Sequence, residues 1–251
     1  MLEIFKEVLT ATIFIGGIIT FISSLIQGYS GFGGGLLMVP LLAIIYTPIE
    51  GIAIAAAAGF IGSSMLVPSA LKDINWRETA PITIGMSLSI PLGLMFLTEA
   101  DPGLIRTGMG IFILVAGLLM LSGWTYKGVR NSFISYIAGT FSGVVTGGFG
   151  IPGGPFAVIY LVSSNLSPKI QRANIIFTVG VGMCFLICGL TITGSYSEQT
   201  IARSIILTPT FVIGNVLGKQ LFKLAPLNWF NKVTNILLIL IALIILVGKF
   251  V

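Results

Sequence analysis

The chain has 251 residues, 55% of them hydrophobic and only 8% charged, with a mean hydropathy of +1.06 and a formal net charge of +5. Soluble domains carry about 25% charged residues, so this chain cannot cover itself with a solvated surface and reads as an all-α integral membrane protein. Its cations stand singly rather than in a basic patch, which excludes nucleic acid as a partner, and the absence of histidine removes the commonest proton relay and metal ligand.

In chain order, the N-terminal "MLEIFKEVL" is followed by a long apolar stretch without a small-residue cleavage site, so a cleaved signal peptide is not expected. Residues 8–27 form an apolar run that breaks at "GYSGFGGGLLMVPLL" (28–42), and 36–46 resume it. Spans of roughly 20 apolar residues, the length a bilayer requires, are expected at 52–71, 79–98 and 104–123. The polar linker "YKGVRNS" (126–132) comes next. The second half repeats the rhythm: 133–147 run into "TGGFGIPGGPFAVIYL" (146–161), 155–163 resume, and spans follow at 170–193, 200–222 and 230–248. At 1.5 Å per residue, 36–46 and 155–163 reach only about 14–17 Å, half a bilayer. Gly31-Phe32-Gly33 aligns with Gly148-Phe149-Gly150, and Gly93 with Gly218. The expected organisation is a first transmembrane repeat (1–125), a cytoplasmic linker (126–132) and a second repeat (133–251).

Charge placement sets the topology. If each broken segment goes in and comes back, as two short spans or a re-entrant hairpin, one side collects Lys72, Arg77, Lys127, Arg130, Lys169, Arg172, Lys219, Lys223 and Lys232. The other keeps Lys6, Arg106, Arg203 and Lys249. A single crossing by each broken segment erases that bias. The positive-inside rule favours the first arrangement. It makes the two repeats inverted, each a broken or re-entrant glycine-rich helix pair followed by three transmembrane helices. The protein is then a multi-pass plasma (inner) membrane protein with both termini extracytoplasmic.

Five glycines between Gly28 and Gly35 are costly in a helix interior, about 1 kcal/mol each relative to alanine. Irregular backbone at membrane depth persists only where protein buries it or it lines a cavity. Each motif leads into a short helix whose first amides are unpaired and sit at the positive end of the helix dipole. Two such ends converging near the midplane form an anion site from backbone alone. The expected binding residues are Gly31, Gly33, Gly34 and Gly35 in the first break, and Gly148, Gly150, Gly153, Gly154 and Pro155 in the second. Gln27, Ser30 and Thr146 flank the breaks and are candidates to donate to an oxyanion. Asn174 and Asn215 lie inside apolar spans, where an unpaired amide is costly; an interhelical hydrogen bond is the competing reading for both. Isolated glycines such as Gly16, Gly85 and Gly108 read as helix contacts, as do Cys184 and Cys188. Trp76, Trp124 and Trp229 fall at span ends and read as interfacial anchors. The acidic residues all fall in termini, loops or span ends, and Glu50 reads as a loop charge.

"SGFGGGLLMVPLL" and "GGFGIPGGPFAVIYL", heading two halves of a chain of this length, resemble the TauE/SafE sulfite exporter family. The resemblance covers essentially the whole chain and implies transport of sulfur-containing anions, among them sulfite and organosulfonates. The expectation is a secondary transporter, an exporter rather than an importer, of a small anionic substrate in the lipid bilayer. It is not an enzyme, since no nucleophile is paired with a base. A passive anion channel and a non-transporting membrane scaffold remain the alternatives. No cofactor is expected, and neither a coupling ion nor an oligomeric state is legible.

Overall fold

The computed structural model of the chain describes residues 8–30, 33–152, 154–221, 239, 240, 242 and 243, with the side chains of 30, 154 and 155 excepted. Most of the expected last span, with Pro226, Trp229, Lys223, Lys232 and Lys249, lies outside the described residues, as do Lys6, Gly31 and Gly153. Nine α-helices of nine or more residues are described: α1 (Ala11–Ser30), α2 (Gly34–Ile45), α3 (Pro48–Ala70), α4 (Trp76–Glu99), α5 (Pro102–Leu121), α6 (Ser132–Phe149), α7 (Gly154–Val162), α8 (Pro168–Ile192) and α9 (Glu198–Leu221). Six of them, α1, α3, α4, α5, α8 and α9, are long and apolar enough to cross a membrane. Large apolar side chains such as Phe14, Leu88 and Ile192 point outward from the bundle, the arrangement a hydrocarbon solvent requires.

Local chemistry sets the boundaries. Thr47 and Asp101 cap α3 and α5 with side-chain oxygens, and prolines occupy the first turns of α3, α5 and α8, where a missing N–H is harmless. Trp76 and Trp124 are half exposed at helix ends, as interfacial anchors should be. Cys184 and Cys188 correct one expectation: both are exposed on α8 rather than packed at a helix contact.

Glycine seams hold the bundle together. Along α6, Gly139, Gly143 and Gly147 each lie against the backbone of α4, at Ile82, Met86 and Ile90 in turn. The rising register makes α4 and α6 parallel. A matching seam joins α1 to α9: Gly214 meets Phe21 and Ser24, and Gly218 meets Leu25 and Tyr29. This pair is parallel too. In the absence of a hydrophobic drive inside lipid, such small residues let backbones approach closely enough for dispersion to hold them.

Further contacts orient these two pairs relative to each other and to α3 and α8. Glu50 pairs with Arg203 and Gly62 meets Phe211, so α3 and α9 are parallel. The Thr83 and Thr178 hydroxyls bond at 3.2 Å while Gly182 meets Met86 and Gly189 meets Leu94, so α4 and α8 are parallel. Gly59 against Met183 and Gly180 against Ser63 and Val67 make α3 and α8 antiparallel. Thus α1, α3 and α9 run one way, and α4, α6 and α8 the other.

Both broken segments fold back on themselves. Gly34 at the start of α2 lies against Ser23 and Gln27, and Tyr46 at its end reaches back to donate to the Thr12 carbonyl at 3.4 Å. In the second half, the Ala157 amide donates to Ser142 Oγ at 2.9 Å and the Tyr160 hydroxyl bonds Ser135 Oγ at 3.0 Å. Each pair therefore returns to the level at which it began. Arginines satisfy the free carbonyls at the leg ends: Arg106 bonds the Ala43 and Tyr46 carbonyls at 3.0 and 3.2 Å, Arg130 bonds Tyr160 O at 2.9 Å, and Arg172 bonds Gly28 O at 3.1 Å. Backbone in a bilayer needs such partners because water cannot supply them.

The described cations segregate. Lys72, Arg77, Lys127, Arg130, Lys169, Arg172 and Lys219 lie at one end of the bundle; Arg106 and Arg203 lie at the other, with Glu50, Glu99, Asp101 and Glu198.

Candidate functional site

The two breaks are made by glycines that take a left-handed backbone. Gly33, with φ of 87°, redirects the chain into α2, and Gly150, with φ of 65°, ends α6. A side chain at either would be strained. Gly33 supplies no side-chain cap, so the first amides of α2 are left to other partners.

The breaks meet. The position a Cβ would take on Gly35 is filled by the ring of Pro152, from the opposite half of the chain. The first break is level with Gly62 on α3, because Gly28 lies against Asn215 and the Asn215 amide donates to Gly62 O at 3.1 Å. The second lies against Ile52, a few turns earlier on the same helix. Gln27, which packs against Gly34, and Ile151, next to Pro152, are both buried.

Of the residues singled out in the sequence, Gln27, Gly33, Gly34, Gly35 and Asn215 gather at the first break, and Gly150 marks the second. Gly34 is packed: its missing Cβ is replaced by the Ser23 carbonyl and the Gln27 side chain, so the glycine serves close approach of the two legs. Thr146 uses its hydroxyl inside the second break, bonding the Ser142 and Ile151 carbonyls at 2.8 and 2.9 Å, and so holds the turn in shape. Gly148 faces α4 at ordinary contact distance. Ser30 ends α1, and Gly154 and Pro155 open α7. Asn174 stands apart, accepting from the Asn75 amide at 2.9 Å where α4 begins. Both asparagines thus make interhelical hydrogen bonds, and the Asn215 Oδ1 atom has no hydrogen-bond partner among the described residues.

Two charged features were hidden from sequence reading. Arg172, counted there only among the cations of one side, reaches Gly28 beside the first break. Glu50, read as a loop charge, is paired with Arg203, whose guanidinium stacks 4.6 Å from the Tyr46 ring centre. At the other end of the bundle Arg130 pairs with Glu78 at 3.1 Å and stacks 4.1 Å over Tyr160. Each hairpin thus ends in a tyrosine beneath an arginine that is paired with a glutamate. The only signal for these pairings was the presence of single charges near aromatic residues at helix ends.

The family model for the sulfite exporter TauE/SafE matches residues 16–245. A probable sulfite/organosulfonate exporter TauE of Cupriavidus necator is 23% identical over 202 residues, covering 77% of this chain and 78% of that protein. A probable membrane transporter protein of Methanocaldococcus jannaschii is 28% identical over 182 residues, covering 65% of this chain and 66% of its own. No solved structure matches the chain. With nearly its whole length matched and a bundle of membrane-length helices built around two glycine breaks, the chain is a multi-pass membrane transporter, not an enzyme, and it belongs to the TauE/SafE sulfite exporter family.

Proposed function

We propose that the protein is a secondary transporter that exports a small sulfur-containing anion, such as sulfite or an organosulfonate, bound where the two breaks meet. The contact of Gly35 with Pro152 carries the reading, because it brings the N-terminal end of α2 against the second break inside the bundle. Helix N-termini attract anions without a titrating group, and Arg172 beside Gly28 adds a fixed positive charge. The curated relative from Cupriavidus supports the substrate class, as its name specifies sulfite and organosulfonates.

The helix directions support two inverted repeats, 1–125 and 133–251, because α1 and α6, the first legs of the halves, run oppositely. The short legs α2 and α7, of 12 and 9 residues, rise about 18 and 14 Å, so neither crosses a bilayer alone and each broken segment folds back, the two from opposite faces. Such repeats with discontinuous helices at the membrane midplane are a recurrent transporter design. The cation-rich end is cytoplasmic by the positive-inside rule, in a plasma (inner) membrane, which puts the linker 126–132 inside and both termini outside.

Gln27→Glu tests the site with almost no change of volume. It places a carboxylate beside Gly34, where like charge is poorly screened. Equilibrium binding of a labelled sulfonate should weaken by about a hundredfold at pH 8 and recover as the pH falls and the buried carboxyl protonates. The wild type should bind equally from about pH 6 to 8, since no histidine titrates there. Wild-type affinity in the Gln27→Glu variant refutes the site.

A further inference from the structure

α4 and α6 run parallel, so both begin at the cation-rich end, and between their starts lies a polar cavity of about 380 Å³. Its wall includes Asn75 and Arg77 from the start of α4, Ser132 from the start of α6, and Arg130 just before it. Glu78 takes one edge of Arg130 with two hydrogen bonds of 3.1 and 3.2 Å, while the Tyr160 carbonyl takes a third at 2.9 Å. The guanidinium is therefore fixed in place before any ligand arrives. Arg77 is exposed and forms no ion pair among the described residues. Two guanidiniums against one carboxylate leave a net positive charge in the cavity, and two helix N-termini add to it. The Ser132 hydroxyl supplies a further donor, and the bonded Ser135–Tyr160 hydroxyl pair keeps one proton to give. The volume suits a small ligand.

We infer that this cavity is a capture site for a small anion with three oxygens on one centre, the geometry of sulfite and of a sulfonate headgroup. The site is separate from the meeting point of the breaks: α7 connects the two, beginning at the second break and carrying Tyr160, in the cavity wall, in its last turn. In the proposed orientation it faces the cytoplasm, so an exported anion collects there before moving inward. The inference rests on the anion-export reading for its biological sense, and its test is built so that the two fail separately.

The probe is radiolabelled methanesulfonate, bound at equilibrium to purified protein in neutral detergent. In the Gln27→Glu background, where the central site is blocked, one class of binding should remain. Arg77→Glu should weaken it about tenfold, Arg77→Lys should largely preserve it, and Glu78→Gln should tighten it severalfold by removing the competing carboxylate. Raising ionic strength from about 0.05 to 0.5 M should weaken this solvated site strongly. Thermal melting of each variant confirms a folded sample, and Arg77, being exposed, should be replaceable without loss of fold. Loss of all binding in Gln27→Glu, or residual binding indifferent to Arg77→Glu and Glu78→Gln, overturns the capture site. Displacement of the probe by phosphatidylglycerol in mixed micelles at the same cavity identifies a lipid phosphate as the occupant and equally overturns it. Full binding in Gln27→Glu with a response to the Arg77 variants instead removes the central site and keeps the cavity.

Discussion

Arg106 on α5 gives its Nε proton to Ala43 O and an Nη2 proton to Tyr46 O, closing the end of α2 from a separate helix. Charge-assisted bonds to otherwise unpaired carbonyls are worth about 1.5–3 kcal/mol each. Arg106→Ala removes two of them and, at about 2–4 °C per kcal/mol for a chain of this size, should lower the melting temperature by about 6–24 °C. Sulfonate affinity at 20 °C should stay unchanged in the protein that remains folded, because Arg106 lies at the foot of the hairpin rather than at the break. An unchanged melting curve contradicts the capping role. At this scale the sequence was only partly legible. Gly33 and Gly150 fall in the runs that the sequence marks as breaks, and both take a left-handed backbone there. The roles of Arg172 and Glu50 were not readable, since each depends on a partner more than a hundred residues away that tertiary packing alone brings near.

Among the helices, the seams of α4 with α6 and of α1 with α9 make the sharpest demand on sequence. A Cβ on Gly143 would run into Met86 O and Ser89 Oγ, whereas one on Gly17 would meet nothing within 4 Å. Gly143→Ala should cost about 1–3 kcal/mol through forced separation of the helices. Gly17→Ala should be neutral or slightly stabilising, because alanine favours helix. Equal thermal stability of the two variants contradicts the seam. Apolar length made the long helices legible to within a few residues, as at Pro102 and Pro168. The return of the broken segments was legible only through the bias of the charges, because the same apolar run serves a helix that crosses and one that comes back. Tyr46 against Thr12 and Tyr160 against Ser135 decide it. Gly34 and Gly35 illustrate a second limit: sequence marks them as places where backbone is approached, and tertiary structure supplies Gln27 and Pro152 as what approaches.

For the whole molecule, the opposite directions of α1 and α6 and the gathering of most described cations at one end support the proposed inverted topology. A reporter inserted in the 126–132 linker should be cytoplasmic, and one fused after Val251 extracytoplasmic. Two reporters on the same side contradict the inverted arrangement. The central claim, a carrier that binds its anion where the breaks meet, is tested most directly by counterflow. Proteoliposomes loaded with unlabelled sulfonate should take up labelled sulfonate faster than empty ones, because a carrier returns loaded, and Gln27→Glu should abolish the stimulation. Uptake that ignores the internal anion would mark a channel, and no uptake from folded protein a scaffold; either result contradicts the account.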